Sequence, residues 1–141
     1  MSSIRIIQFL NQIINAVKVN KRGILFKHMS KEILLVAQIL QDNNRIEDFE
    51  VIQAKTKKGS NINYISVKLL YWLNEKNEKQ PFLLNVEFIS KPSRVITIKV
   101  KDLHPIMKGN GFSILRTAKG VIDNRTAKKI NTGGELLAIC Y

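Results

Sequence analysis

The order of hydrophobic periods along the chain limits the fold most. In residues 4–18, Ile6, Leu10, Ile13 and Val17 recur at helical spacing with Phe9 and Ile14 beside them, which predicts an amphipathic helix. Ser2 and Ser3 are its candidate caps. Gly23 opens a short apolar run, Ile24-Leu25-Phe26, read as a strand. Ser30 is a good N-cap for a second helix over 31–43, whose inward face is Ile33, Val36, Ala37 and Leu40. Asn43 and Asn44 end it, because Asn tolerates the left-handed conformation.

Beyond that point alternation takes over. Ile46, Phe49 and Val51 mark a strand over 46–54, and residues 62–72 return after a polar tip around Gly59. In the returning strand Ile65, Val67 and Leu69 share one face. Residues 74–81, closed by Pro81, read as a hinge. Strands are expected at 82–89, 94–100, 111–116, 120–122 and 135–141, with a Lys91-Pro92-Ser93 turn after the first. Asp102 is a candidate cap for a short helix to Lys108, and Asp123 for a basic helix over 124–130. This order predicts α+β architecture in two small lobes, 1–73 and 82–141, joined by a linker at 74–81.

Composition bounds the function. The formal net charge of +12 on 141 residues favours an anionic partner. That charge is uneven: residues 1–40 are net +5, 41–90 are neutral and 91–141 are net +7. The single cysteine, Cys140, excludes an internal disulfide framework and reads as a buried small hydrophobe. No apolar run is long enough to span a membrane, and the polar face of helix 4–18 is uncharged, which disfavours membrane binding.

Catalytic signals are thin. His28 and His104 share no spacing and have no neighbouring nucleophile set. Gly109-Asn110-Gly111 lacks the third glycine and the following helix of a dinucleotide fingerprint. Glu47, Asp48 and Glu50 read as solvated charge rather than a metal cage. No cofactor and no metal are therefore expected, and neither is a small-molecule substrate or a homo-oligomer. The Lys-, Ile- and Asn-rich composition is what AT-rich coding gives.

The basic C-terminal segment carries the functional reading. Lys91 and Arg94 flank one turn, Arg116, Thr117, Ala118, Lys119 and Gly120 form another, and Lys128 precedes Thr132-Gly133-Gly134-Glu135. Small residues in turns let backbone groups approach sugar and phosphate, while flanking cations add attraction and counterion release. Duplex RNA, with its shallow groove and 2′-hydroxyls, suits such loops.

At these residues the chain resembles the bacterial-type small-subunit ribosomal protein eight family. Gly109-x-Gly111, Thr117, Gly120-Val121 and Thr132-Gly133-Gly134-Glu135 match the family's C-terminal pattern in place, and Ser90-Lys91-Pro92 matches its Ser-Lys/Arg-Pro. Ser30-Lys31, Ile46-Glu47-Asp48-Phe49 and the end of the first helix extend the likeness, with 55–85 the loosest part. The resemblance implies a structural protein that binds small-subunit ribosomal RNA, supports assembly and has other small-subunit proteins as neighbours. It implies RNA contact at Thr117, Lys119, Gly120 and 132–135, and Ser30 and Lys31 join the candidate surface. Glu135 is expected to fix the loop by accepting from amides or hydroxyls near Thr117. The chain departs from the family where Arg116 and Ala118 replace serines, which would trade hydroxyl contacts for a phosphate contact, and Ser93 and Arg94 replace a turn glycine and an apolar residue. Ile14 replaces a basic residue, which implies a changed neighbour. This drift, the composition and the lack of an import-peptide pattern favour a mitochondrial member, with plastid or bacterial cytoplasm as alternatives. An RNA-modifying or RNA-cleaving enzyme using a histidine, and a basic adaptor for an acidic protein, are the competing readings.

Overall fold

The computed structural model describes residues 3–91, 93–106 and 109–141. The Ser2 cap, the Pro92 position of the turn and the Lys108 end of the short helix lie outside them.

Helix α1 (Ser3–Lys18) buries Ile6, Phe9, Leu10, Ile13 and Val17, the stripe its spacing predicts. Ile14 is also buried, at 7% exposure, in the chain's own core, so its apolar character needs no outside neighbour. Strand β1 (Gly23–Phe26) follows, and the Phe26 ring packs edge-on to Phe9 at 5.1 Å. Helix α2 (Lys31–Asp42) starts at Ser30, whose hydroxyl accepts from the Ile33 amide at 3.3 Å. Strands β2 (Ile46–Lys55) and β3 (Asn61–Leu69) form a long hairpin, and with β1 they make an antiparallel sheet of order β1-β3-β2. Ile65, Val67 and Leu69 face the two helices and are buried.

The strand expected over 62–72 breaks at Leu70. The β1–β3 pairing ends with the Leu69 amide on the Arg22 carbonyl at 2.9 Å, and beyond the break the Tyr71 hydroxyl donates to the Lys21 carbonyl at 2.5 Å. Residues 74–81 are a hydrogen-bonded hairpin rather than an open linker. In it β4 (Tyr71–Leu73) pairs with β5 (Lys79–Pro81), and the Asn74 side chain accepts from the Lys76 and Glu78 amides.

A second antiparallel sheet holds β6 (Val86–Phe88), β10 (Gly134–Cys140), β8 (Phe112–Thr117) and β9 (Gly120–Asp123) in that order, with β7 (Thr97–Ile98) also on β10. Here the expected strands 82–89 and 94–100 shrink. Asn85 and Tyr141 exchange backbone hydrogen bonds that extend the β6–β10 pairing, but the Leu84 amide also turns onto the Tyr141 carbonyl and the strand stops there. The Ser90 hydroxyl accepts from the Ile96 amide at 3.1 Å and donates to the Leu136 carbonyl at 2.5 Å, so a buried side chain replaces strand pairing there. Instead of a helix beginning at Asp102, a 3₁₀ turn ends there (Val100–Asp102). Helix α3 (Asn124–Lys129) is capped by Asp123, which accepts from the Thr126 amide at 2.9 Å. The main core takes residues from both sides of the 74–81 hairpin, among them Leu40, Ile65, Phe112 and Ile114.

Helices α1, α2 and α3 end in the same way. Asn20, Asn44 and Asn131 have φ of 56°, 57° and 57°. After each, the next amide bonds a carbonyl five residues back: Lys21 to Ala16, Arg45 to Leu40 and Thr132 to Ala127. Each Asn amide bonds three residues back. This is a Schellman cap with Asn where Gly is usual.

Candidate nucleic-acid interface

The β8–β9 hairpin turns through Ala118 and Lys119, both exposed. Thr117 holds this turn: its hydroxyl donates to the Gly120 carbonyl at 2.9 Å and accepts from the Lys119 amide at 3.1 Å. Gly120 has a φ of 110°, which a side chain would strain.

Behind the tip, Arg116 is one-quarter exposed and lies between two carboxylates. Its Nη2 donates to Glu32 Oε2 at 2.8 Å and its Nη1 to Glu135 Oε2 at 3.3 Å. The expected role of Glu135, as acceptor from groups at Thr117, is therefore corrected: it accepts from Arg116, and Thr117 closes its own turn. Arg116 is likewise engaged by protein carboxylates, so the cation gained over the family's serine is used inside the fold.

Gly133 and Gly134 are required by packing. A Cβ on Gly134 would strike the Arg116 carbonyl, and one on Gly133 would lie 2.6 Å from the Ile98 carbonyl. They let β10 run between β8 and β7, where Glu135 pairs with Arg116 on one side and Thr97 on the other. Lys91 and Arg94 are exposed on the adjoining loop and exchange backbone hydrogen bonds at 2.9 Å.

The fold thus brings Ser30, Lys31 and residues 116–120 and 132–135 together, while the loop with Lys91 and Arg94 lies on the other side of β10. Contact between α2 and β9, with Leu35 beside Gly120, sets the helix start against the hairpin. Lys128 stands apart. It lines a recess of about 230 Å³ with Leu103, His104, Pro105 and Arg125.

Sequence alone did not reveal the division of labour between cation types. Every described lysine is exposed. Three arginines instead bridge segments on either side of the 74–81 hairpin. Besides Arg116 to Glu32, Arg45 donates to the Asn110 carbonyl and lies 5.6 Å from the Phe112 ring, and Arg125 Nη1 donates to Asn43 Oδ1 at 3.3 Å. Burial holds Arg45 below the usual guanidinium range; Cys140 opposes that shift and Arg125 adds to it. The available signal was residue type, since the planar guanidinium suits buried, multi-point pairing. Glu32 carried no such mark.

The Gly109-Asn110-Gly111 turn is no phosphate cradle. Its carbonyls face guanidiniums, with Arg125 Nη2 2.6 Å from Gly109 O, and the Gly109 and Gly111 amides bond the Ile106 carbonyl. Both histidines are exposed, His28 against the Phe26 ring and His104 on the loop after the 3₁₀ turn.

The fold is α+β with a net charge of +12, and it carries exposed cations on braced turns. The family model of ribosomal protein S8 matches residues 5–141. Small ribosomal subunit protein uS8 of Crocosphaera subtropica is 32% identical over 106 residues, covering 75% of this chain and 72% of the relative. The uS8c protein of Bigelowiella natans is 32% identical over 130 residues, 92% of each chain. The uS8 protein of Caulobacter vibrioides is 32% identical over 121 residues, covering 86% and 85%. The chain belongs to the ribosomal protein S8 family, a family of structural ribosomal components and not of enzymes.

Proposed function

We propose that this chain is a structural component of the small ribosomal subunit that binds small-subunit ribosomal RNA directly and supports subunit assembly and translation. The observation that carries the reading is the exposed Lys119 at the tip of a hairpin locked by Thr117 and seated on Arg116. On a turn already closed by Thr117 only the lysine side chain, and not the backbone, has to be ordered on phosphate, so less of its attraction is lost to entropy. Lys31 extends that surface, Lys91 and Arg94 add cations across β10, and Ser30, Ala118, Gly120 and 132–134 supply small groups for close approach. Residues 82–141 act as the main RNA-binding lobe. The remaining surface meets neighbouring small-subunit proteins.

Within the ribosomal setting, the mitochondrial ribosome is the favoured location. The Lys- and Asn-rich composition supports this, including Asn at three helix caps where Gly is usual. Plastid and bacterial ribosomes are the alternatives.

Binding of the full chain to small-subunit ribosomal RNA across a salt series tests the function. Affinity should fall steeply with salt, and Lys119→Ala should lower both affinity and slope, the slope by about 0.7–0.9 for one phosphate contact. Salt-independent binding, or equal affinity for unrelated RNA, would overturn the reading.

A further inference from the structure

The β2–β3 hairpin carries a cluster of cations that the surface above does not use. We propose that its tip is a second RNA contact, in which Lys55, Lys57 and Lys58 hold the phosphate backbone of an RNA duplex. This rests on the ribosomal RNA reading and assigns to that RNA a second point of attachment.

The charge of the arm is one-sided. Between Glu50 and Glu75 the chain has no carboxylate and four lysines. The acidic residues Glu47, Asp48 and Glu50 sit at the base of the arm. From Glu50 to Lys55, where β2 ends, the strand extends roughly 16 Å at its usual rise, with Lys57 and Lys58 in the turn beyond it. That exceeds the ~8 Å screening length at physiological salt, so the acidic base does not cancel the field at the tip.

One face of the arm fits RNA as well; the other carries Ile52 opposite Tyr64 and Ala54 opposite Ile62. Leu69, Val67 and Ile65 are buried on the core side of β3. Further out, that same face carries Asn63 opposite Gln53 and Asn61 opposite Lys55, all exposed. The arm has left the core, and its outer face bears amides and a cation. Amides can donate to and accept from 2′-hydroxyls and base edges in a shallow groove. A docking site for another protein would centre on the apolar Ile52 and Tyr64 of the opposite face, away from this row of amides.

The tip is also held in one shape. Thr56 and Ser60 join through their hydroxyls at 2.7 Å, and the Thr56 amide bonds the Ser60 carbonyl at 2.8 Å. Gly59 turns the chain at φ 81° with nothing within 4 Å of an added Cβ, which leaves room for a backbone to approach another backbone.

The test uses the full chain with Lys55, Lys57 and Lys58 all changed to Ala. Because the three side chains are exposed, the circular dichroism spectrum and melting temperature should not change. The log–log salt slope for small-subunit ribosomal RNA should fall by about 2–3, from the loss of three phosphate contacts. A hydroxyl-radical footprint should lose protection at nucleotides different from those lost with Lys119→Ala. If the unaltered chain binds the RNA selectively while the triple variant keeps its slope and footprint, the arm is not a contact. The arm is equally excluded as an RNA contact if the variant binds RNA normally but fails to retain a neighbouring protein. If the unaltered chain shows no selective binding, the parent reading fails instead.

Discussion

Arg116 Nη2 lies 2.8 Å from Glu32 Oε2 and joins β8 to the first turn of α2 across 84 residues of sequence. Glu32 also faces the positive end of the helix dipole, so its charge is favoured twice. Glu135, only 14% exposed on its side chain, shares the same guanidinium. Removing Arg116 would leave two half-buried carboxylates facing each other.

Arg116→Ala should therefore destabilise the fold by about 1–3 kcal/mol, a range set by partial burial and solvent screening. A double-mutant cycle with Glu32→Gln should give a coupling of about 1 kcal/mol. The exposed Lys68–Glu47 pair, 3.3 Å apart, should couple by less than about 0.5 kcal/mol. Equal coupling in the two cycles, measured by urea unfolding, would contradict the structural role of Arg116.

The asparagine caps give a second expectation. Asn20, Asn44 and Asn131 are exposed and left-handed, so their side chains contribute through backbone preference and not packing. Asn44→Ala should cost about 1 kcal/mol, because a Cβ without a local polar group disfavours this conformation. Asn44→Gly should be at least as stable as the native residue. Thermal melts of the two variants decide it; an alanine variant as stable as the glycine one would mean the cap carries no strain.

Those caps also show what the sequence could disclose. The Asn43-Asn44 stop was readable because two asparagines follow an apolar stripe, whereas Asn20 and Asn131 have no such pair. Helical spacing marked α1 and α2 and alternation marked β3, since one face of each is buried, while α3 was marked by its Asp123 cap. The shortened strands around 82–100 were not readable. Their ladder is interrupted by the Ser90 hydroxyl and ends at the pairing of Asn85 with Tyr141, contacts made across 46 and 56 residues. At the candidate interface, the turn at 117–120 was readable from its small residues. The purpose of Arg116 was not, because its partner Glu32 is distant in sequence.

The glycines before β10 separate folding from binding. Gly134→Ala would push a Cβ into the Arg116 carbonyl, a backbone atom that cannot swing away. A loss of about 1–3 kcal/mol is expected, as for overpacking elsewhere. Weaker RNA binding by this variant should track the lost stability and recover under conditions that restore the fold. If the protein melts normally yet binds RNA poorly, the glycine is needed by the RNA and not by β10.

Cys140 is fully buried at the end of β10, and burial pushes its thiol from 9.0 up to about 12, against a smaller opposing pull from Arg45. A thiol-reactive chromophore at pH 8 should therefore label the protein only after denaturant is added. The same shift links stability to alkaline pH. Below the unfolded value both states hold the proton, and this contribution is constant. Between about 9 and 12 the unfolded chain gives it up while the native one keeps it, so stability falls as pH rises, by up to about 1.4 kcal/mol per unit. Cys140→Ala should flatten the decline over that window at the expense of a small loss of packing. An unchanged alkaline decline in the variant would assign it to other groups.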